Sequence, residues 1–171
     1  MNMEKKLRTI ATLRARSFSA SLDQVELQNG QIKERIRIDH PEAVAIIPLL
    51  SESEIIMVRQ FRYAIGKDTL EIPAGKVDAG EKPADAVHRE LLEETGYKAD
   101  HIEHLCSYQP AIGYSNEIIH IYVARGMHKI SRLLDEAEIS SCEIMDLGAL
   151  RKLLADGEIL DGKTMLALGF L

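Results

Sequence analysis

The sequence predicts an α/β or α+β fold in which strands and helices interleave within one unit. Three observations lead there. Short β-rich runs dominate from residue 7 to about residue 70, one clear helical period spans residues 81–95, and strands then alternate with helices to the C-terminus. No internal repeat, low-complexity tract or linker interrupts the series. The early strands are expected at residues 24–28, 31–39, 43–50 and 54–62, with Asn29-Gly30 as the hairpin turn between the first two. Residues 73–80 are rich in turn formers. The helix that follows tolerates Pro83 in its first turn and stops at Gly96. Further strands are expected at 102–108, 117–124 and 143–145. Residues 147–155 read as an amphipathic helix ending before Gly157, and Asp161 suits the N-cap of a short last helix, 163–168, stopped by Gly169.

Composition narrows the function. A chain of 171 residues with 46% hydrophobic content is the size of one ordinary domain and can bury a core without disulfides. A formal charge of -6 excludes a nonspecific nucleic-acid binder, which needs a cationic surface to displace counterions. A small polyanion can still bind where metal ions or a basic cluster neutralise it. The two cysteines, Cys106 and Cys142, form no CxxC pair, which favours a reducing compartment. Lys5, Lys6, Arg8, Arg14 and Arg16 frame no continuous apolar run of the signal-peptide kind. The most apolar stretch, 43–50, is interrupted by Pro48 and is too short to span a bilayer. A soluble, cytoplasmic protein that binds neither nucleic acid nor membrane is expected.

The helix at 81–95 carries the chemistry. At about 100° per residue, Glu90, Glu93 and Glu94 fall within an arc of about 100°, beside an apolar stripe of Ala84, Val87 and Leu91. Three carboxylates stacked at i, i+3 and i+4 repel one another by roughly several tenths of a kcal/mol unless a cation lies between them. Mg2+ or Mn2+, which favour hard oxygen ligands, would supply that cation. The bland alternative is a solvated acidic face held by the i,i+4 pair of Arg89 and Glu93.

The wider pattern decides between them. Residues 75–97 match, position for position, the signature G-x5-E-x7-R-E-U-x-E-E-x-G-U of the Nudix hydrolases, where U is a bulky hydrophobic residue. Seven fixed identities at roughly 6% background each make a chance match on the order of one in a million. Tyr97 fills the last U position, which is a packing variation. The resemblance implies an α/β/α sandwich with a mixed central sheet and metal-dependent cleavage of a pyrophosphate bond. It implies that Gly75 lets the loop turn tightly into the helix, that the Ala74 carbonyl and the Glu90, Glu93 and Glu94 side chains ligate Mg2+ or Mn2+, and that Glu81 and Arg89 tie loop to helix. Gly96 completes the structural positions of the motif.

Beyond the signature the chain resembles the branch that hydrolyses ADP-ribose and other nucleoside diphosphate sugars. Val58-Arg-Gln-Phe-Arg62 is similar to a V-x-Q-x-R strand whose arginine contacts substrate, Glu71-Ile-Pro-Ala-Gly75 to an E-x-P-A-G entry, and residues 108–117 to a loop that delivers a substrate-side glutamate, here Glu117. Ala111 and Ile112 stand where the ADP-ribose pattern has Ser and Pro, and Asn116 replaces an acidic residue, which suits a broader specificity including GDP- or UDP-sugars. Leu133-Leu-Asp135-Glu136-Ala-Glu138 resembles the acidic loop that supplies the general base. The resemblance implies that Glu136 is the base with Glu138 as its alternate, and that Glu93 joins them among the catalytic residues.

This branch commonly forms homodimers, so residues 1–40 are expected to be a β-rich N-terminal dimerisation segment and residues 41–171 the hydrolase domain. Within that segment, Phe18 is a candidate for base stacking and Arg35 for phosphate contact. His40 and His88 are expected at the surface. Two rival readings remain: a nucleoside triphosphate pyrophosphohydrolase, and a non-catalytic nucleotide sensor, although sensors usually lose one or more of the carboxylates intact here.

Overall fold

Strand formation wins over most of the chain. The computed structural model describes residues 4–130 and 139–171, and among those residues it contains ten strands and three helices. They divide into two compact units, one built from the chain up to Glu42 together with Tyr108–Ile118, the other from Ala43–Ser107 and Ile119–Leu171.

The first unit is an antiparallel meander of β1 (Glu4–Arg14), β2 (Ser19–Leu27) and β3 (Ile32–Asp39) in that spatial order. Most of β1 and β3 is exposed, and Val25 and Asp23 of the middle strand are its most buried residues. Asp23 is paired: the Thr9 hydroxyl donates to it at 2.7 Å and the Lys6 ammonium lies 2.8 Å away. The loop 108–118 joins this unit through bonds from the backbone N–H groups of Ile38 and His40. The Ile38 N–H donates to the Tyr114 carbonyl at 2.7 Å, and the His40 N–H donates to Asn116 Oδ1 at 2.8 Å.

The second unit contains β4 (Ala43–Pro48), β5 (Glu54–Arg62), β6 (Lys67–Glu71), β7 (Ala74–Lys76), α1 (Pro83–Thr95), β8 (Tyr97–Tyr108), β9 (Ile119–Lys129), β10 (Ile139–Asp146), α2 (Leu147–Ala155) and α3 (Gly162–Leu168). One sheet runs β10-β5-β6 and is antiparallel; the other runs β7-β4-β9-β8 and is mixed, because β4 pairs parallel with β9 and antiparallel with β7. The expected mixed α+β class is thus observed. A strand with a parallel neighbour is covered on both faces, and all six residues of β4 are buried. Helix α1 lays Ala86, Val87 and Leu91 on Val44, Ile46, Tyr122 and Ala124, which forms the core beneath the site.

Several expectations shift. Strand β2 begins at Ser19 rather than residue 24, β8 at Tyr97 rather than 102, and β10 spans Ile139–Asp146 rather than 143–145. Strand β7 lies inside the segment read as turn-rich, because pairing with β4 straightens it. The buried stripe of α1 uses Ala86 where Ala84 was expected; Ala84, in the first turn, is exposed. The short helices keep their caps: Asp146 Oδ1 accepts from the Ala149 N–H at 3.0 Å, and Asp161 Oδ2 from the Thr164 N–H at 2.9 Å. Among the described residues no helix is long and apolar enough to cross a membrane.

Candidate active site

The site is built where β7 hands the chain to α1. Gly96 ends the helix in the left-handed region at φ 75°, with its N–H on the Leu92 carbonyl at 2.9 Å, so the last turn carrying Glu93 and Glu94 is held closed. At the other end Gly75 is needed for space: a Cβ there would sit 1.9 Å from the Glu90 carboxyl carbon. The helix phase separates the three carboxylates. Glu94, seven residues after buried Val87, faces inward and is 7% exposed. Glu90 lies partly buried beside it, and Glu93, about 100° further round, reaches solvent.

Arg89 organises the loop. Its Nε and Nη2 donate to the two oxygens of Glu81 at 3.0 and 2.8 Å, Nη2 also reaches the Lys76 carbonyl at 3.0 Å, and Nη1 donates to Glu90 at 2.6 Å and Glu93 at 3.2 Å. Glu81 in turn accepts from the Asp78 N–H at 2.9 Å, and the Arg89 and Asp78 hydrogen bonds hold its carboxyl down to about 2. Glu94 contrasts with it. Burial, reinforced by the negative charge of Glu90, pushes Glu94 up to about 8 despite the hydrogen bond it accepts from the Ala74 N–H at 2.9 Å. Glu90 is also raised, chiefly by burial.

The residues fit a divalent cation in donor type. The Glu90, Glu93 and Glu94 carboxylates and the Ala74 carbonyl are all hard oxygens, and Gly75, lacking a Cβ, lets the Glu90 carboxylate lie against the loop. The single guanidinium of Arg89 is shared among Glu81, Glu90 and Glu93, which leaves an anionic surplus for a cation to neutralise. Among the described residues no three acidic, histidine or cysteine groups are drawn tightly enough to form a closed side-chain cage. A backbone carbonyl or solvent would therefore complete the ligand set.

Arg62 sits at the end of β5, the central strand of its sheet, and is committed to a partner: its Nε donates to Glu71 Oε1 at 2.7 Å and its Nη2 to Oε2. Thr69 donates to the same glutamate at 2.6 Å, and Lys163 of α3 pairs with it and, at 3.0 Å, with Asp161. In the sequence Glu71 stands out only as the first residue of the E-x-P-A-G entry, and Lys163 and Thr164 belong to no motif that marks them. The other candidates lie in the first unit. There the Phe18 ring stacks on His40 with centroids 5.8 Å apart, His40 Nδ1 lies 3.4 Å from Glu117 Oε1, and Arg35 pairs with Glu4 at 2.6 Å. His40, expected at the surface, is half-buried in this chain of contacts, whereas His88 is exposed. The acidic candidates Asp135, Glu136 and Glu138 lie outside the described residues.

The NUDIX domain model matches residues 39–168 of this chain. The chain belongs to the NUDIX family. Over 170 residues it is 39% identical to a methanol dehydrogenase activator from Bacillus methanolicus, spanning 98% of this chain and 92% of that one. Over 152 residues it is 37% identical to an ADP-ribose pyrophosphatase from Bacillus subtilis, covering 88% and 82% of the two chains. A solved ADP compounds hydrolase shares the fold with a TM-score of 0.84 at 26% identity, covering 98% of this chain and 91% of that one. The NUDIX match includes the whole loop-and-helix site, Arg62 and Glu117; Phe18 and Arg35 precede it.

Proposed function

We propose that this NUDIX chain hydrolyses the pyrophosphate bond of a nucleoside diphosphate sugar, ADP-ribose or a related compound, to a nucleoside monophosphate and a sugar phosphate. The observation that carries the reading is buried Glu94 beside half-buried Glu90, both against the loop around Gly75, in a NUDIX signature with every carboxylate intact. Similarity along most of the chain to an ADP-ribose pyrophosphatase supports the substrate class.

NUDIX pyrophosphatases generally need a divalent metal, and here Glu90, Glu93, Glu94 and the Ala74 carbonyl would hold Mg2+ or Mn2+. When bound, the cation neutralises pyrophosphate oxygens and makes water an adequate nucleophile. The chain itself does the positioning. Arg89, with Glu81, fixes the loop against the helix, and the Glu71 carboxylate orients the Arg62 guanidinium, whose exposed part is available to an anionic substrate. Glu136 acts as the general base, with Glu138 as its alternate. Glu117 and Arg35 contact the sugar and phosphate side, and Phe18 stacks on the base. The enzyme works in the cytoplasm as a homodimer. Support for the dimer comes from Leu7, Ile10, Leu13, Ile32 and Ile36, large aliphatic side chains that β1 and β3 of the N-terminal meander leave exposed. Sedimentation should therefore find a dimer, and a monomer would contradict this assembly.

Hydrolysis of ADP-ribose, GDP-mannose, UDP-glucose and ADP-glucose, measured side by side with Mg2+, tests the substrate class. Turnover of more than one is expected, given Ala111, Ile112 and Asn116 in the substrate-side loop. Confinement to ADP-ribose would narrow the assignment, and turnover of none would overturn it.

A further inference from the structure

We infer that Thr164 and Lys163, on the C-terminal helix α3, are positioning residues for the cation-binding loop: they pin the Glu71–Ile72 end of the segment that presents Ala74 and Gly75 to Glu94 and Glu90. The inference rests on the reading of that loop as a cation site.

Three consecutive residues on the way into the loop are each tied by one backbone bond to a different element. The Ile72 N–H donates to the Thr164 hydroxyl at 2.9 Å, the Pro73 carbonyl accepts from the Ile46 N–H of β4 at 2.9 Å, and the Ala74 N–H donates to Glu94 of α1 at 2.9 Å. The first and third of these ties are made by side chains, and the first comes from a helix 92 residues further along the chain. Thr164 is fully buried, and its hydroxyl is fully used: it accepts from Ile72 and donates to Asp161 Oδ2 at 2.6 Å. Lys163, 6% exposed, bridges Glu71 at the end of β6 and Asp161 at the start of α3, while Arg62 grips Glu71 from β5. Two anions and two cations thus close a neutral cluster that clamps β5, β6 and α3 together directly upstream of the loop.

Apolar contact alone would dock α3, since Ala167 and Leu168 are buried. Apolar surfaces, however, do not fix a position along the chain, whereas a hydrogen bond at 2.9 Å to a specific N–H does. The loop needs that accuracy. Gly75 lies so close to the Glu90 carboxylate that an added methyl group would displace that side chain, and the Ala74 amide must stay in hydrogen-bond reach of Glu94. Residues that orient ligands from behind in this way typically change metal affinity 10–100-fold when altered.

The test uses the full chain, freed of metal, and Mn2+ as the probe. Mn2+ binding is read from the free-ion EPR signal, alongside melting temperature and kcat and KM for ADP-ribose with Mg2+. Thr164→Val keeps the shape and removes the hydroxyl; Thr164→Ser keeps the hydroxyl. Thr164→Val is expected to weaken Mn2+ binding about tenfold and to lower kcat with KM within about twofold, and Thr164→Ser to restore both to within about twofold of wild type. Lys163→Met, read in the same assays, is expected to weaken Mn2+ similarly and gives a second result where Thr164→Val does not fold. Folded variants at both positions that bind Mn2+ as wild type does would overturn the positioning role. So would a Thr164→Ser chain no better than Thr164→Val. A wild-type chain that binds no Mn2+, or a Glu94→Gln chain that binds it equally well, would instead overturn the cation-site reading, and the inference with it.

Discussion

Glu71, at the end of β6, and Glu94, in the last turn of α1 and bonded to Ala74, are buried glutamates flanking residues 72–74, yet their surroundings drive them in opposite directions. Glu71 is 1% exposed; burial would raise it, but Arg62, Lys163 and Thr69 surround it and hold it at about 2. Glu94 is 7% exposed, and burial, reinforced by the like charge of Glu90, pushes it to about 8 against the single backbone N–H, that of Ala74, donated to it. A buried carboxylate whose charge is answered by neighbours is a structural element. One whose charge is left unanswered, beside a second carboxylate and a loop stripped of a Cβ, is suited to take a cation from solution.

The comparison can be broken at either end. The largest effect is expected at Glu94. Glu94→Gln keeps an oxygen for the Ala74 N–H but removes the charge, so kcat should fall by about a thousandfold, about 4 kcal/mol of transition-state stabilisation, with little change in the melting temperature. A near-normal rate would remove Glu94 from the cation site. At Glu71 the loss should appear in stability instead. Glu71→Gln leaves Lys163 and Arg62 without their shared anion, and urea unfolding should show a loss of about 3 kcal/mol. An unchanged midpoint would mean that the network does not clamp the fold.

The pH dependence of stability sharpens the same contrast. Because the folded-state pKa of Glu71 is depressed to about 2 from the ordinary 4.5 of a glutamate, its contribution is fully present above pH 4.5 and is lost as pH falls through about 2. The amount is about 3 kcal/mol, and Glu71→Gln should flatten that acid limb in urea titrations between roughly pH 5 and pH 2. A limb of the same steepness in the variant would assign it to other carboxylates. The smallest effect is expected at the cradle. Gly75→Ala places a Cβ 1.9 Å from the Glu90 carboxyl carbon, and since that side chain can swing aside, kcat/KM should fall only about tenfold, about 1.4 kcal/mol. No loss would show that Glu90 need not lie against the loop.

What the sequence revealed follows from how local each feature is. The three carboxylates, Arg89 and the Gly96 stop lie within one helix and its cap, so spacing alone predicts which of them share a face. Spacing did not predict that Glu94 is buried while Glu93 is exposed, because that depends on where β4 and β9 lie beneath the helix. Strand β1 had no alternation to read. Its aliphatic residues Leu7, Ile10 and Leu13 recur every third position, and the pairing with β2 accommodates this by register shifts between Lys6 and Arg8 and between Thr9 and Ala11. The Glu71–Lys163 pair left no signal at all, since its partners are 92 residues apart and each is an ordinary charged residue in its own segment.

The identity of the products tests the central claim most directly. Incubated with ADP-ribose and Mg2+, the chain should release AMP and ribose 5-phosphate in equal amounts, and the Glu94→Gln variant should release neither at a comparable rate. Failure to split ADP-ribose or any other nucleoside diphosphate sugar, together with release of free pyrophosphate from a nucleoside triphosphate, would contradict the account.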